Sequence, residues 1–366
     1  MGLLDRYRQF EGLSEEEVNA GLRRDARDRR ARELARAAPL DLSRTTWPEL
    51  PPPEVVSAIT FAARRALNRY AEGRDAELRD GLAARHRVAA ERMVVGEGVS
   101  GLLQRACAAL LGHGDEVLLP WPCYPLYPLA IRDAGAQPVP VDGLDPERLL
   151  ERVGPRTRLV LLGGPNDPTG DLLGVAAVRE LLRRLPAEVT VIVDEALREF
   201  VDREDRDALL RLTDEDPRLI VLRSFSKAWG LASLRCGFAV GADASRLAAL
   251  VPRLGLPGLT LAGAAAALGH ADALVERRVR AVAANRERVT GELTAAGALV
   301  RPSQSCALWL RAPGLDAAAL RSSLERHGVL VQSGDVFGDR DHVRLTVPAA
   351  TDVPRVLRAY AAAVAA

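Results

Sequence analysis

From residue 55 onward the chain alternates between two hydrophobic periodicities. VVSAITFAARRALNRY, LRDGLAARH, SGLLQRACAALL and YPLYPLAIRDAG space their apolar residues at helical intervals. MVVGEG, DEVLLP, QPVPVD, TRLVLLGG, VTVIVDEA, RLIVLRSF and RCGFAVG are instead short, nearly continuous apolar runs that end in small or polar residues. A strand covered on both faces carries apolar side chains at odd and even positions alike, so this alternation predicts an α/β fold with a mostly parallel sheet between helices. After about residue 262 the pattern changes. ALVERRVRAVAANRERVTGELTAAG predicts a long amphipathic helix, CALWLRAP, VLVQSG and HVRLTVP predict strands, and DVPRVLRAYAAAVAA predicts a closing helix, which together make a smaller α+β unit. Ahead of the alternation, 14–37 starts as a helix, with Ser14 and Glu17 forming a capping box, and RTTWPELPPP at 44–53 is a proline-rich connection that neither helix nor central strand accommodates. The expected division is an N-terminal arm at 1–45 joining the small domain, a large domain at 46–262 and the small domain at 263–366.

The 366 residues are 48% apolar and 27% charged, enough for two packed lobes, since single cores stop growing at roughly 250–300 residues. A net charge of +1 gives no field that would draw nucleic acid or an anionic membrane, and the arginines between residues 23 and 32 are interleaved with acids, as on a solvated helix face. No apolar run approaches the ~20 residues of a membrane span, and the first twelve residues lack the apolar core of a signal peptide. Cys107, Cys123, Cys236 and Cys306 form no C-x-x-C pair, and the five histidines have no H-x-x-x-H spacing, so a cytoplasmic protein without a metal site is expected. One compositional detail is sharper. Of the 50 basic residues, 49 are arginine and one is lysine, Lys227. Arginine stays protonated and forms no imine, whereas a lysine amine does once its pKa is depressed.

Lys227 lies in SFSKAWGLASLRCGF (224–238), where the hydroxyls of Ser224 and Ser226 and the guanidinium of Arg235 supply the donors and charge that a phosphate needs. VIVDEALREF (191–200) ends a buried run in Asp194, which either caps the following turn or needs a cation such as a pyridinium N–H. GGPNDPTG (163–170) is a strand ending in a turn, as its residue types require on sterics alone. VVGEGVSGLLQ (94–104) runs from strand through glycine turn to helix, leaving free N–H groups near Val99 and Ser100. In PWPCYPLYPLA (120–130), Tyr124 follows a strand and suits either ring stacking or the core, and Trp47, Trp121 and Trp229 are equally open between pocket wall and core. In an open α/β sheet these pieces fall together at the carboxyl ends of the strands.

Their order resembles the fold-type I pyridoxal phosphate enzymes, and within them the histidinol-phosphate aminotransferase-like branch of the class I/II aminotransferases. LNRY (67–70), PNDPTG (165–170), VDEA (193–196) and SFSKAWGLASLRCGF carry the resemblance, which spans about Leu67 to Val347. It implies a large domain with a seven-stranded sheet, a smaller α+β domain, and pyridoxal 5′-phosphate as cofactor. Lys227 would hold the cofactor as a Schiff base and shuttle the Cα proton, and Asp194 would pair with the pyridine nitrogen. Tyr124 would stack on the ring, while Val99, Ser100, Ser224, Ser226 and Arg235 would hold the phosphate. Tyr70 would reach the cofactor of a partner subunit in a homodimer, and Arg344 would grip the substrate carboxylate. The partners implied are an L-amino acid and a 2-oxo acid.

The chain also departs from that pattern. Asp167 stands where the family usually has Asn, and Leu197 where it has Tyr, so two donors to the cofactor's phenolic oxygen are missing, with Asn166 as a candidate replacement. Gln332 replaces an arginine of the histidinol-phosphate enzymes, which points to a substrate without a distal phosphate. Decarboxylation, elimination or cyclisation on the same scaffold, and a non-catalytic binding domain, are the alternatives that these departures keep open.

Overall fold

The computed structural model describes residues 38–71, 73–270 and 272–365. The helix expected at 14–37 lies outside the described residues. A short strand, β1 (Leu40–Asp41), leads into the large sheet, formed by β2 (Met93–Gly96), β3 (Glu116–Trp121), β4 (Gln137–Asp142), β5 (Thr157–Gly163), β6 (Thr190–Asp194), β7 (Leu219–Ser224) and β8 (Gly237–Gly241). The spatial order is β2-β8-β7-β6-β5-β3-β4, and β8 alone runs against the others. Every residue of β6 and β7 is buried, which accounts for the unbroken apolar runs TVIV and LIVL. Burying a Val, Leu or Ile side chain stabilises the fold by roughly 1.5–3 kcal/mol, so this central pair anchors the sheet.

The register aligns the strand ends. Gly163 pairs with Asp194 and Asp194 with Leu222, while Gly237 lies opposite both Ser224 and Gly96. The turns after β2, β5, β6 and β7 and the turn entering β8 therefore open on one edge. Gly237 is forced there by close approach, because a Cβ would stand 2.6 Å from the Arg223 carbonyl oxygen and 3.0 Å from the Gly98 Cα.

The second unit carries β9 (Leu299–Val300), β10 (Ala307–Arg311), β11 (Val329–Leu330), β12 (Gln332–Ser333) and β13 (Val343–Thr346). Four of these form an antiparallel sheet in the order β12-β13-β10-β9, and β11 pairs in parallel with β1. VLVQSG is thus two short strands rather than one. The helix Gly258–His270 runs through residue 262, where the sequence pattern suggests a domain boundary, and packs on helices Pro53–Ala66 and Arg74–His86 of the large unit. Its Ala- and Gly-rich composition hides this, since the helix is apolar on several faces and has no amphipathic signature to tie it to its neighbours. The expected helix at 55–70 stops at Ala66, so LNRY forms a turn.

Gly237→Ala should lower stability by about 1–3 kcal/mol, the range typical of overpacking a filled interior. Thermal melts of the purified variant against the parent measure this directly.

Candidate active site

One cavity of about 230 Å³ opens at the aligned strand ends. Its wall includes Val99, Ser100, Tyr124, Asp167, Asp194, Ser224, Ser226, Lys227 and Arg235, nine of the residues singled out from the sequence, drawn from five separate turns.

At one end the groups are anion-seeking. The helix Gly98–Leu110 begins here, presenting the unpaired N–H groups of its first turn. Gly98 has φ +71°, and a Cβ on it would stand 2.9 Å from Arg235 Nη2, so the guanidinium lies directly against the start of the helix. Arg235 itself adopts φ 50°, in the left-handed region after the 3₁₀ turn Ala232–Leu234, and Nη1 donates to Ser226 Oγ (3.3 Å) and the Ala232 carbonyl (3.1 Å). Ser224 Oγ accepts from the Ser226 N–H at 3.0 Å, which tightens the turn before Lys227.

At the other end stands Asp194. Its Oδ1 accepts from the Ala196 N–H at 2.9 Å and its Oδ2 from the Tyr127 hydroxyl at 2.9 Å. The turn-capping role and the free-carboxylate role therefore coexist. Burial pushes this carboxyl above its ordinary range, against the lowering effect of both donors and of Lys227. Tyr127, fully buried, is pushed well above its usual value by burial and stays a donor. Tyr124 packs edge-on against Tyr127, with ring centroids 5.7 Å apart.

Lys227 Nζ donates to Thr45 Oγ1. Thr45 is buried, and Thr46 beside it lines the cavity. Neither was anticipated from the sequence, and neither was Tyr127; no local motif marks a hydroxyl whose partner is 182 or 67 positions away.

Three of the candidate residues do not line this cavity. Asn166 is not on the cavity wall: its Nδ2 donates to the Pro122 carbonyl and to Thr169 Oγ1, both at 3.0 Å, so its amide protons are already committed within the turn. Arg344 is paired within the protein. Its Nη1 donates to both oxygens of Asp167 at 2.8 Å, and its Nη2 to the Ser43 carbonyl at 2.8 Å. Tyr70 is 80% exposed and lines a separate cleft of about 690 Å³ with Met93, Val251 and Leu254. Trp121 donates to the Gly338 carbonyl, Trp229 packs in the core against Phe225, and Trp47 lies under Arg278, so none of the three lines the site. Burial pushes the thiols of Cys107, Cys123 and Cys236 up to about 12 and that of Cys306 to about 11, which removes them as nucleophiles. Among the described residues no group of His, Cys, Asp and Glu could hold a metal ion.

A phosphate-seeking end, a primary amine and a buried carboxylate served only by neutral donors form the set that fits a phosphorylated, aldehyde-bearing pyridine. Residues 37–362 match the family model of aminotransferase class I and II. The chain belongs to that family, and it is a pyridoxal 5′-phosphate-dependent aminotransferase of fold type I. It is 37% identical over 339 residues to an aromatic amino acid aminotransferase of Corynebacterium efficiens, covering 90% of this chain and 94% of that one. It is 36% identical to one from Mycobacteroides abscessus, covering 82% and 86%. A histidinol-phosphate aminotransferase of Sinorhizobium meliloti in complex with pyridoxal-5′-phosphate shares the fold with a TM-score of 0.80 at 24% identity, covering 91% and 93%. A Thermus thermophilus aspartate aminotransferase with maleate does so at 0.78 and 24%, covering 99% and 100%.

The Asp194 carboxyl yields a prediction in the cofactor-free protein. A folded-state pKa raised above 3.8 means its contribution to stability is fully present below that value and is lost as pH rises through the raised one. Asp194→Asn removes the titration, so the variant should melt at or above the parent near neutral pH, with the gap narrowing as pH falls toward the ordinary carboxylate range. A variant melting clearly below the parent at neutral pH would mean that the ionised carboxylate is already compensated within the protein.

Proposed function

We propose that this aminotransferase takes the amino group from an aromatic or other large apolar L-amino acid without a distal phosphate and passes it to a 2-oxo acid, with Lys227 as the carrier amine and proton shuttle. The observation that carries this reading is that Lys227 and Asp194 face one cavity whose far end is closed by Ser224, Ser226 and Arg235. The apolar wall of Val99, Tyr124, Tyr127, Pro165, Ala196 and Leu197 supports an apolar substrate, as do the names of the relatives. Gln332, beside Arg344 on the neighbouring strand, brings no charge for a distal phosphate.

Pyridoxal 5′-phosphate supplies an aldehyde that condenses with a primary amine and a pyridine ring that withdraws electrons from the substrate's Cα when its nitrogen is protonated. Ser224 Oγ, Ser226 Oγ, the Arg235 guanidinium and the N–H groups of Val99 and Ser100 would hold the phosphate. Asp194 holds the proton on the ring nitrogen, because an anion buried among neutral donors is stabilised by a cationic N–H partner. Tyr127 fixes the carboxylate's Oδ2, and Tyr124 packs on the ring. Lys227 Nζ, positioned by Thr45 Oγ1, would be the base that takes the proton from the substrate's Cα and returns it.

The functional unit in this reading is a homodimer. Exposed Phe61, Leu67, Tyr70, Val251 and Leu254 support an apolar contact surface, with Tyr70 reaching the partner's phosphate site. Four buried, unpaired thiols support work in the reducing cytoplasm.

Lys227→Ala should remove the visible absorbance band of the holoenzyme and its borohydride-reducible adduct. With an aromatic amino acid, the parent should bleach that band and accumulate the amine form of the cofactor. Release of carbon dioxide or ammonia with the band unchanged would assign a different reaction to the site. Tyr70→Phe should weaken cofactor affinity by about tenfold, the loss of one hydrogen bond to a charged group, with the dimer retained in sedimentation.

A further inference from the structure

Asp167 lines the cavity, while Arg344, on β13, is not among the lining side chains. Arg344 thus reaches the cavity wall through its pairing with Asp167. The pair is nearly dry, with side chains 13% and 8% exposed. Most of Arg344 is engaged within the protein: Nη1 donates to both Asp167 oxygens and Nη2 to the Ser43 carbonyl, Nε is buried without a partner, and the guanidinium carbon lies 4.9 Å from the centre of the Phe337 ring. A carboxylate is recognised strongly when it accepts two parallel N–H bonds from one guanidinium. Here one arm of the fork, Nη1, already holds both oxygens of a carboxylate of the protein's own, and Nη2 is turned to the Ser43 carbonyl.

We propose that Asp167 is a built-in competitor for the substrate's carboxylate: Arg344 holds Asp167 at rest, and an amino acid's carboxylate docks only by displacing it, which makes Asp167 a specificity-determining residue of this pocket. The inference rests on reading the cavity as the amino-acid site. Displacement strands one carboxylate in a dry wall beside a second anion, and removing a partner from a buried ion pair is costly. A substrate that brings no carboxylate of its own meets no such competition, so the pocket tolerates neutral ligands better than an uncommitted arginine would allow. An asparagine at 167 would carry no charge, and its amide would leave Arg344 open to the incoming anion.

Calorimetric titration of the holoenzyme separates these cases with two unreactive ligands, 3-phenylpropanoate and its neutral counterpart 3-phenylpropan-1-ol. In the parent, the carboxylate should bind no more tightly than the alcohol. In Asp167→Asn and Asp167→Ser it should bind at least tenfold more tightly than in the parent, while the alcohol changes less than twofold. The inference is overturned if the parent already binds the carboxylate tenfold more tightly than the alcohol, if the variants gain nothing for the carboxylate, or if both ligands gain alike. The parent measurement stands even where a variant fails to fold. Turnover of L-phenylalanine and other large apolar amino acids is followed separately: the carboxylate gain without such turnover refutes the proposed substrate class and leaves the competition intact, while turnover without the gain does the reverse.

Discussion

Two successive carboxylates, Asp194 and Glu195, are buried at the end of β6, and the protein treats them in opposite ways. Glu195 is matched from within: Arg223 Nε donates to it at 2.7 Å, and Arg198 Nε lies 3.3 Å away. Arg223 and Arg198 also take the carbonyls of Asp205 and Arg206, so this layer closes on itself. Asp194, facing the other side of the sheet as strand alternation requires, receives only a backbone N–H and a phenol. An isolated ionised carboxylate in such a place is expensive, and the sheet has spent no arginine on it although the chain carries 49. The remaining charge is therefore available to a ligand, and the rest of the site is arranged around that one unmatched anion.

Much of this arrangement was legible in the sequence because it is written in strand ends. A buried strand shows as a continuous apolar run, and the residue that ends it lands on a common edge once the strands are parallel. Asp194, Ser224 and the turn after Gly96 needed nothing more than that rule. Lys227 stood out by chemistry, as the one primary amine side chain. What escaped was contact between distant segments. Thr45 and Tyr127 look like an ordinary connector hydroxyl and an ordinary core aromatic until folding sets them against Lys227 and Asp194. The helix Gly258–His270 escaped because its small residues give no periodic stripe, although the helix is central to the packing of the large unit.

The segment 41–47, which runs into the connection read from sequence at 44–53, joins the small sheet to the site. Leu42 exchanges hydrogen bonds with Leu330 and Thr346, the Arg44 carbonyl accepts from Thr346 Oγ1, the Ser43 carbonyl accepts from Arg344, and Thr45 accepts from Lys227. Trp47 then lies beneath Arg278, which donates to the carbonyls of Ala228 and Trp229 just beyond Lys227. The prolines begin just beyond the segment, at Pro48 and Pro51–Pro53, and the span itself is tied down by these backbone hydrogen bonds rather than by proline. A shift of the small sheet would consequently be felt at Lys227 through one short span of backbone.

The exchange of an amide for a carboxylate at 167 alters more than charge. An amide has both an acceptor and donors, so it can serve a guanidinium with its oxygen and another acceptor with its nitrogen. An ionised carboxylate has acceptors alone, and every neighbour it takes must be a donor. With Leu197 offering none, and with the Asn166 amide protons spent on Pro122 and Thr169, the available donor is Arg344, and Asp167 turns both oxygens to it. The ion pair thus follows from the two departures taken together. Without a carboxylate at 167, Arg344 would keep its bond to the Ser43 carbonyl and lose its ionic partner, so the acid at 167 is what turns Nη1 inward to the protein.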